Sequence, residues 1–232
     1  QIPDMLANRA DIYNLGDIIG DSDAVFKLSY IENALTSNAS LQVFATKSMQ
    51  DVYALVDAAE NGSLDNLDLQ GNYSNAELKE AYDVMRKMLR VRDVILTVNQ
   101  EYIRSAAMTD AYRTEPAFKL QGSYRNMNKL AEKIIPIMND QELETLIQAH
   151  YAGESQTLTS DAEANRLKLK ELTGKLSEEE KRRWEEIKTA FNKNKLFHGN
   201  GEEDPMARVI AQLSGFNDGL DGIREVIEKR VP

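Results

Sequence analysis

The chain has 232 residues, 42% of them apolar, with 38 acidic against 28 basic side chains, a formal net charge of −10 and no cysteine. That apolar content excludes a disordered chain. The missing cysteine excludes disulfides and thiolate chemistry, and two histidines leave no set for a protein-built zinc site.

A chain of this length buries roughly 70% of its extended surface, enough for one large or two small domains. The acidic balance repels duplex DNA and anionic lipid, although a local basic patch can override it. There is no run of about 18 apolar residues, so no membrane insertion is expected. There is no signal peptide, and the expected location is the cytoplasm. The opening Gln1-Ile2-Pro3-Asp4 reads as the interior of a longer polypeptide.

From Asp23 to Leu35, Val25, Leu28, Ile31 and Leu35 recur at helical spacing. Ser48 with Asp51 reads as a capping pair for a second helix through Val52, Leu55, Val56 and Ala59, stopping at Asn61-Gly62. The polar, Gly- and Asn-rich residues that follow form a loop. Ser74 and Glu77 make a capping box ahead of Leu78, Tyr82, Met85 and Leu89, and the period continues toward Ala107. One helix of roughly 30 residues results. The run Val91–Val98 also permits a strand, but the helical period holds on both sides of it.

Thr109 to Gly122 is non-periodic. Ser123 caps a helix carrying Met127, Leu130, Ala131 and Ile134, which Pro136 bends or ends. Asn139 with Glu142 starts a short helix, and Ser160 with Glu163 the next. Ser177 with Glu180 opens a charged one, Lys181 to Leu196, marked by Trp184, Ile187 and Phe191. Its acidic first turn and the following Lys181-Arg182-Arg183 fit either a solvated face or a partner face. A last helix is expected over about Asp204 to Lys229, where Gly215, Gly219 and Gly222 mark either a close backbone approach or a turn. The fold class is therefore all-α, a multi-helix bundle.

Two stretches carry a further signal. Met5-Leu6-Ala7-Asn8-Arg9-Ala10-Asp11-Ile12-Tyr13-Asn14-Leu15-Gly16-Asp17 is one, and Ala111 through Lys129, with Gln121-Gly122-Ser123-Tyr124-Arg125-Asn126 at its centre, is the other. Together with Leu28 to Asn38 they resemble segments of a bacterial family of AAA+ ATPases related to the MoxR type and described as DNA repair ATPases. The resemblance covers residues 1 to about 175. It implies a helical lid with inserted helices over 23–175, preceded by a segment (1–22) that follows a separate ATPase core, and a C-terminal extension over 176–232.

By that resemblance Arg125 is a sensor arginine reaching the terminal phosphate of ATP, and Arg9 an arginine finger acting on a neighbour's ATP. ATP and Mg²⁺ are expected only with the upstream core, whose phosphate loop has no counterpart here. Leu172-Thr173-Gly174-Lys175 lacks the glycine spacing and the following Ser or Thr. The implied partners are that core, further copies in a homo-oligomer, and a protein substrate or adaptor.

Read from the residues alone, a guanidinium suits phosphate because it stays charged and forks, but Arg9 with Asp11 also fits a simple turn pair. Arg113, Lys119 and Lys129 fit phosphate, subunit or nucleic-acid contacts, or a solubilised surface. Phe118 and Leu120 are expected to plug into the body, and Trp184 to anchor a core or a docking face. His150 and His198 read as packing, capping or surface residues. Arg86, Lys87, Arg90 and Arg92 give the long helix a basic zone, diluted by Asp83 and Asp93, that admits a nucleic-acid reading. The main alternative to the lid is a helical protein–protein interaction or oligomerisation module with no nucleotide role.

Overall fold

In the computed structural model, described over residues 23–65 and 67–198, Ser74 begins the longest element. Its hydroxyl accepts from the Glu77 N–H at 3.2 Å, and the Glu77 carboxylate accepts from the Ser74 N–H at 2.7 Å. Two donors that a helix start would orphan are thereby satisfied. The helix spans Asn75–Ala107, 33 residues without a break. It is α4 in chain order, roughly 50 Å long at the helical rise. Ala81, Val84, Met85, Met88, Val91, Ile95 and Val98 keep one buried face throughout, so Val91–Val98 is helix and the strand alternative falls.

Three helices precede it: α1 (Asp23–Ala34), α2 (Ala39–Lys47) and α3 (Met49–Asn61). The face of α1 differs from the expected stripe. Val25 is 69% exposed, while Tyr30, Ile31 and Ala34 are buried. Short α2 escapes the sequence reading. Asn38 starts it by accepting from the Ser40 N–H, and its amide donates to the carbonyls of Ala131 and Ile134, both at 2.9 Å.

The expected Ser48–Asp51 cap does not form. Ser48 makes no side-chain cap bond. Asp51, buried, accepts instead from the N–H groups of Gln70 (2.7 Å) and Gly71 (2.9 Å) and from the Tyr73 hydroxyl (2.7 Å). A carboxylate with three donors available from the following loop gains more there than at its own helix start. Gly62, at φ 75°, closes α3 as expected.

Beyond α4 lie α5 (Tyr124–Ala131), α6 (Asp140–Ser155) and α7 (Ala162–Leu172). The Asn139–Glu142 capping box opens α6, which is longer than the short helix expected. The chain turns through Thr159 at φ 51°, and α7 starts after Asp161, not after Ser160. Gly174 (φ 68°) ends α7, with Lys175 N–H donating to the Lys170 carbonyl at 2.7 Å. The Gly-Lys pair is thus a helix terminus. Side chains from α1 to α7 share one core that includes Tyr30, Phe44, Leu55, Ile95, Met127 and Tyr151.

The described residues divide into two units: 23–111 with 117–176, and 112–116 with 177–198. In the second, α8 (Glu178–His198) opens with Ser177 and Glu180 exchanging hydrogen bonds as expected. Trp184 is buried, the Asn192 amide donates to the Thr114 carbonyl (3.0 Å), and Lys195 to that of Arg113 (2.9 Å). Lys181–Glu178, Arg183–Glu186 and Lys188–Glu185 pair along the helix surface. Among the described residues the elements are helices, none long and apolar enough to cross a membrane. Arg9, Asp11, the segment 1–22, the helix expected over 204–229 and its three glycines lie outside the described residues.

Candidate functional site

The approach to α5 is clamped before it arrives. Phe118 and Leu120 are buried as expected. Asn165, on α7, accepts from the N–H groups of Lys119 (2.6 Å) and Leu120 (3.3 Å), and its amide donates to the Ala117 carbonyl at 3.2 Å. One buried side chain thereby satisfies an extended segment that has no strand to pair with. Ser105 completes the clamp by accepting from the Phe118 N–H at 2.8 Å.

Gly122 then lies directly on α4. A Cβ at this position would stand 2.0 Å from the Ile95 carbonyl oxygen and 2.9 Å from the Asn99 nitrogen, so no other residue fits without moving a backbone. Its carbonyl accepts from the Tyr30 hydroxyl at 3.2 Å. Ser123 and Asn126 form a capping box. Asn126 Oδ1 accepts from the Ser123 N–H and hydroxyl, and its amide meets His150 Nε2 at 2.9 Å. Tyr124 packs on Tyr30 with ring centres 4.5 Å apart, its hydroxyl 2.6 Å from Ser29 Oγ.

Within Gly122–Met127 the exposed residue is Arg125. Its side chain is 46% accessible, and its Nη2 lies 3.6 Å from Glu154 Oε2. Lys129, one turn later, meets the other oxygen of Glu154 at 2.9 Å. Burial alone would raise the Glu154 carboxyl. The Lys129 hydrogen bond and charge, with smaller electrostatic help from the His150 ring and the Arg125 charge, outweigh burial and hold it below the usual carboxylate range. Thr36, Ser37, Asn128 and Glu132 join Arg125 and Lys129 around an open cleft of about 500 Å³. Arg125 thus has the exposure to meet an anion, and Glu154 is the group such an anion would have to replace. Sequence reasoning missed Glu154, because it sits on a different helix and no local pattern ties it to Arg125.

The comparisons carry the chain no further: it matches no family model, no curated protein and no solved structure.

The other candidates are dispersed. Lys119 pairs with Asp161. Arg113 is buried. The basic zone on α4 is split: Arg92 turns to Glu60 and Asp93, Arg90 to Glu144, and Lys87 to the carbonyls of Asp83 and Pro136. That removes the continuous cationic strip the nucleic-acid reading needs. His150 is a packing residue whose Nε2 faces Asn126. Burial, opposed by the Glu154 charge and aided by Lys129, Lys133 and Arg125, lowers its pKa to about 4. Among the described residues no group of three or more His, Asp or Glu side chains is placed to hold a metal ion.

Proposed function

We propose that this chain is a helical protein–protein interaction or oligomerisation module. The observation carrying the reading is that, among the described residues, His150, Asp51 and Asn165 commit their polar groups to joining one element to another. His150 is bound to Asn126, Asp51 to the loop at Gln70–Tyr73, and Asn165 to the segment ahead of α5. What such a scaffold offers is its surface, displayed on a long helical spine. Light scattering of the purified chain with and without Mg-ATP tests it. A defined assembly of unchanged mass supports the module, and dissociation or growth on adding nucleotide speaks against it.

A second reading has one specific observation in its favour. The buried frame of Gly122, Ser123, Asn126 and Met127 presents Arg125 outward beside Lys129. An outward guanidinium on a rigid helix start suits the lid of an AAA+ ATPase related to the MoxR type. Its ATP and Mg²⁺ would be held by an upstream core, Arg125 would act within one polypeptide, and Arg9 would act on a neighbouring copy. In a polypeptide that includes such a core, Arg125→Ala abolishes turnover while assembly persists. Magnesium-dependent ATP turnover by the isolated, contaminant-free chain would overturn this division of labour.

A further inference from the structure

Between α4, α6 and the end of α7 runs an open groove of about 870 Å³. Its walls carry five basic and three acidic side chains, a local positive excess on a chain whose net charge is −10. Arg86 stands exposed on the α4 wall, outside the ion pairs formed by Arg90 and Lys175. On the α6 side, Glu144 binds Arg90 through Oε1 at 2.7 Å. Its buried Oε2 accepts no hydrogen bond and is 3.9 Å from Lys175 Nζ. One helical turn on, buried Gln148 Nε2 donates none.

Residues four apart on a helix share a face. Glu144 and Gln148 therefore set, on one helix face, an acceptor and a donor that make no hydrogen bond, the complement of the N–H and C=O of an extended peptide. Lys175, half-exposed, holds its Nζ 3.9 Å from Glu144 Oε2, so an incoming chain reaches that oxygen by displacing the lysine. Asp83, Asp140 and Glu144 would oppose the uniform charge of a nucleic acid. A peptide places its carboxylates selectively at the cationic wall.

We propose that this groove docks an acidic, extended segment of a partner protein. Arg86, and Lys175 once displaced from Glu144, would meet its carboxylates, and Glu144 with Gln148 its backbone. The inference rests on the interaction-module reading and names the class of partner.

The test is fluorescence anisotropy of the full chain with a short labelled peptide of alternating Glu and Ser, its Lys–Ser counterpart, and a short oligothymidine. The Glu–Ser peptide is expected to bind, to weaken with salt, and to lose roughly tenfold in affinity in an Arg86→Glu, Lys175→Glu double variant. In the unmutated chain, its amide NMR shifts are expected at Thr145 and Gln148, which frees the result from any folding defect of the variant. Shifts elsewhere, equal binding by the Lys–Ser peptide, or tighter binding by oligothymidine would overturn the proposal. Light scattering of the unmutated chain and of the double variant separates the two levels. If the unmutated chain assembles yet the Glu–Ser peptide does not bind at the groove, the module reading stands and the groove proposal falls. Loss of self-association in the double variant would make a second copy the occupant and overturn an outside partner.

Discussion

The Asn126 amide donates to His150 Nε2 across 2.9 Å, and this polarity makes the imidazole neutral with its proton on Nδ1. The assignment follows because Asn126 Oδ1 already accepts from Ser123, which leaves only NH₂ to face the ring. Protonating Nε2 would set two donors against each other. The cap of α5 and the body of α6 are thereby linked through one titratable group.

His150 has a folded pKa of about 4, below the ordinary histidine value of 6.5. The unfolded chain therefore binds the extra proton first as pH falls. Stability is full above about pH 6.5 and falls between 6.5 and 4, by about 2 kcal/mol after solvent screening is allowed for. Urea denaturation across this range, with NMR titration of the ring, measures it. His150→Gln keeps an acceptor and should flatten that part of the profile.

Gly122→Ala should cost about 3 kcal/mol or more, because its new methyl would meet the Ile95 carbonyl and the Asn99 nitrogen, both backbone atoms. Tyr30→Phe removes only the 3.2 Å bond to the Gly122 carbonyl and should cost about 1 kcal/mol. Thermal and urea melts of the two variants should rank them in that order.

Asp51→Ala leaves the Gln70 and Gly71 N–H groups without their acceptor, at an expected cost of about 2–3 kcal/mol. Amide hydrogen exchange should rise first at Gln70 and Gly71. Burial would raise the Asp51 carboxyl, but the hydrogen bonds from Gln70, Tyr73 and Gly71 and the Lys47 charge hold it low. Its stabilisation is therefore present above about pH 4 and is lost as pH falls through the folded pKa.

Tyr151→Phe should leave stability unchanged or raise it by up to about 1 kcal/mol. Tyr151 is fully buried and its hydroxyl has no hydrogen-bond partner, so the substitution removes an orphan polar atom and keeps the ring. A loss above about 1 kcal/mol in urea denaturation would contradict this.

Trp184 is the chain's single tryptophan and is 1% exposed. Its emission should be blue-shifted in the folded chain and move red as the unit containing α8 unfolds. Trp184→Ala should destabilise that unit by about 3–5 kcal/mol.

The helix starts were legible wherever a residue and its third neighbour close on each other. Ser74 with Glu77, Asn139 with Glu142, and Ser177 with Glu180 all form the reciprocal bonds their spacing implies. Asp51 defeated the same rule because its competing donors lie about 20 residues away. Helix α2 was missed because the residue that starts it, Asn38, is anchored by carbonyls at Ala131 and Ile134. Arg125 stood out in the sequence, yet its partner Glu154 did not, and the groove at Glu144 and Gln148 was invisible because it takes two more helices to enclose it.

The sequence by itself determined the helical class, the long α4 and the stop at Gly62, because periodicity and capping act over three or four residues. The tertiary structure alone decided which cations remain exposed and which carboxylates they face. Val25 turning outward, the dispersal of the basic zone on α4 and the meeting of Arg125, Lys129 and Glu154 all follow from how helices rotate about one another. That rotation is set by which apolar faces pack together across the whole core, a condition no local window of the chain contains.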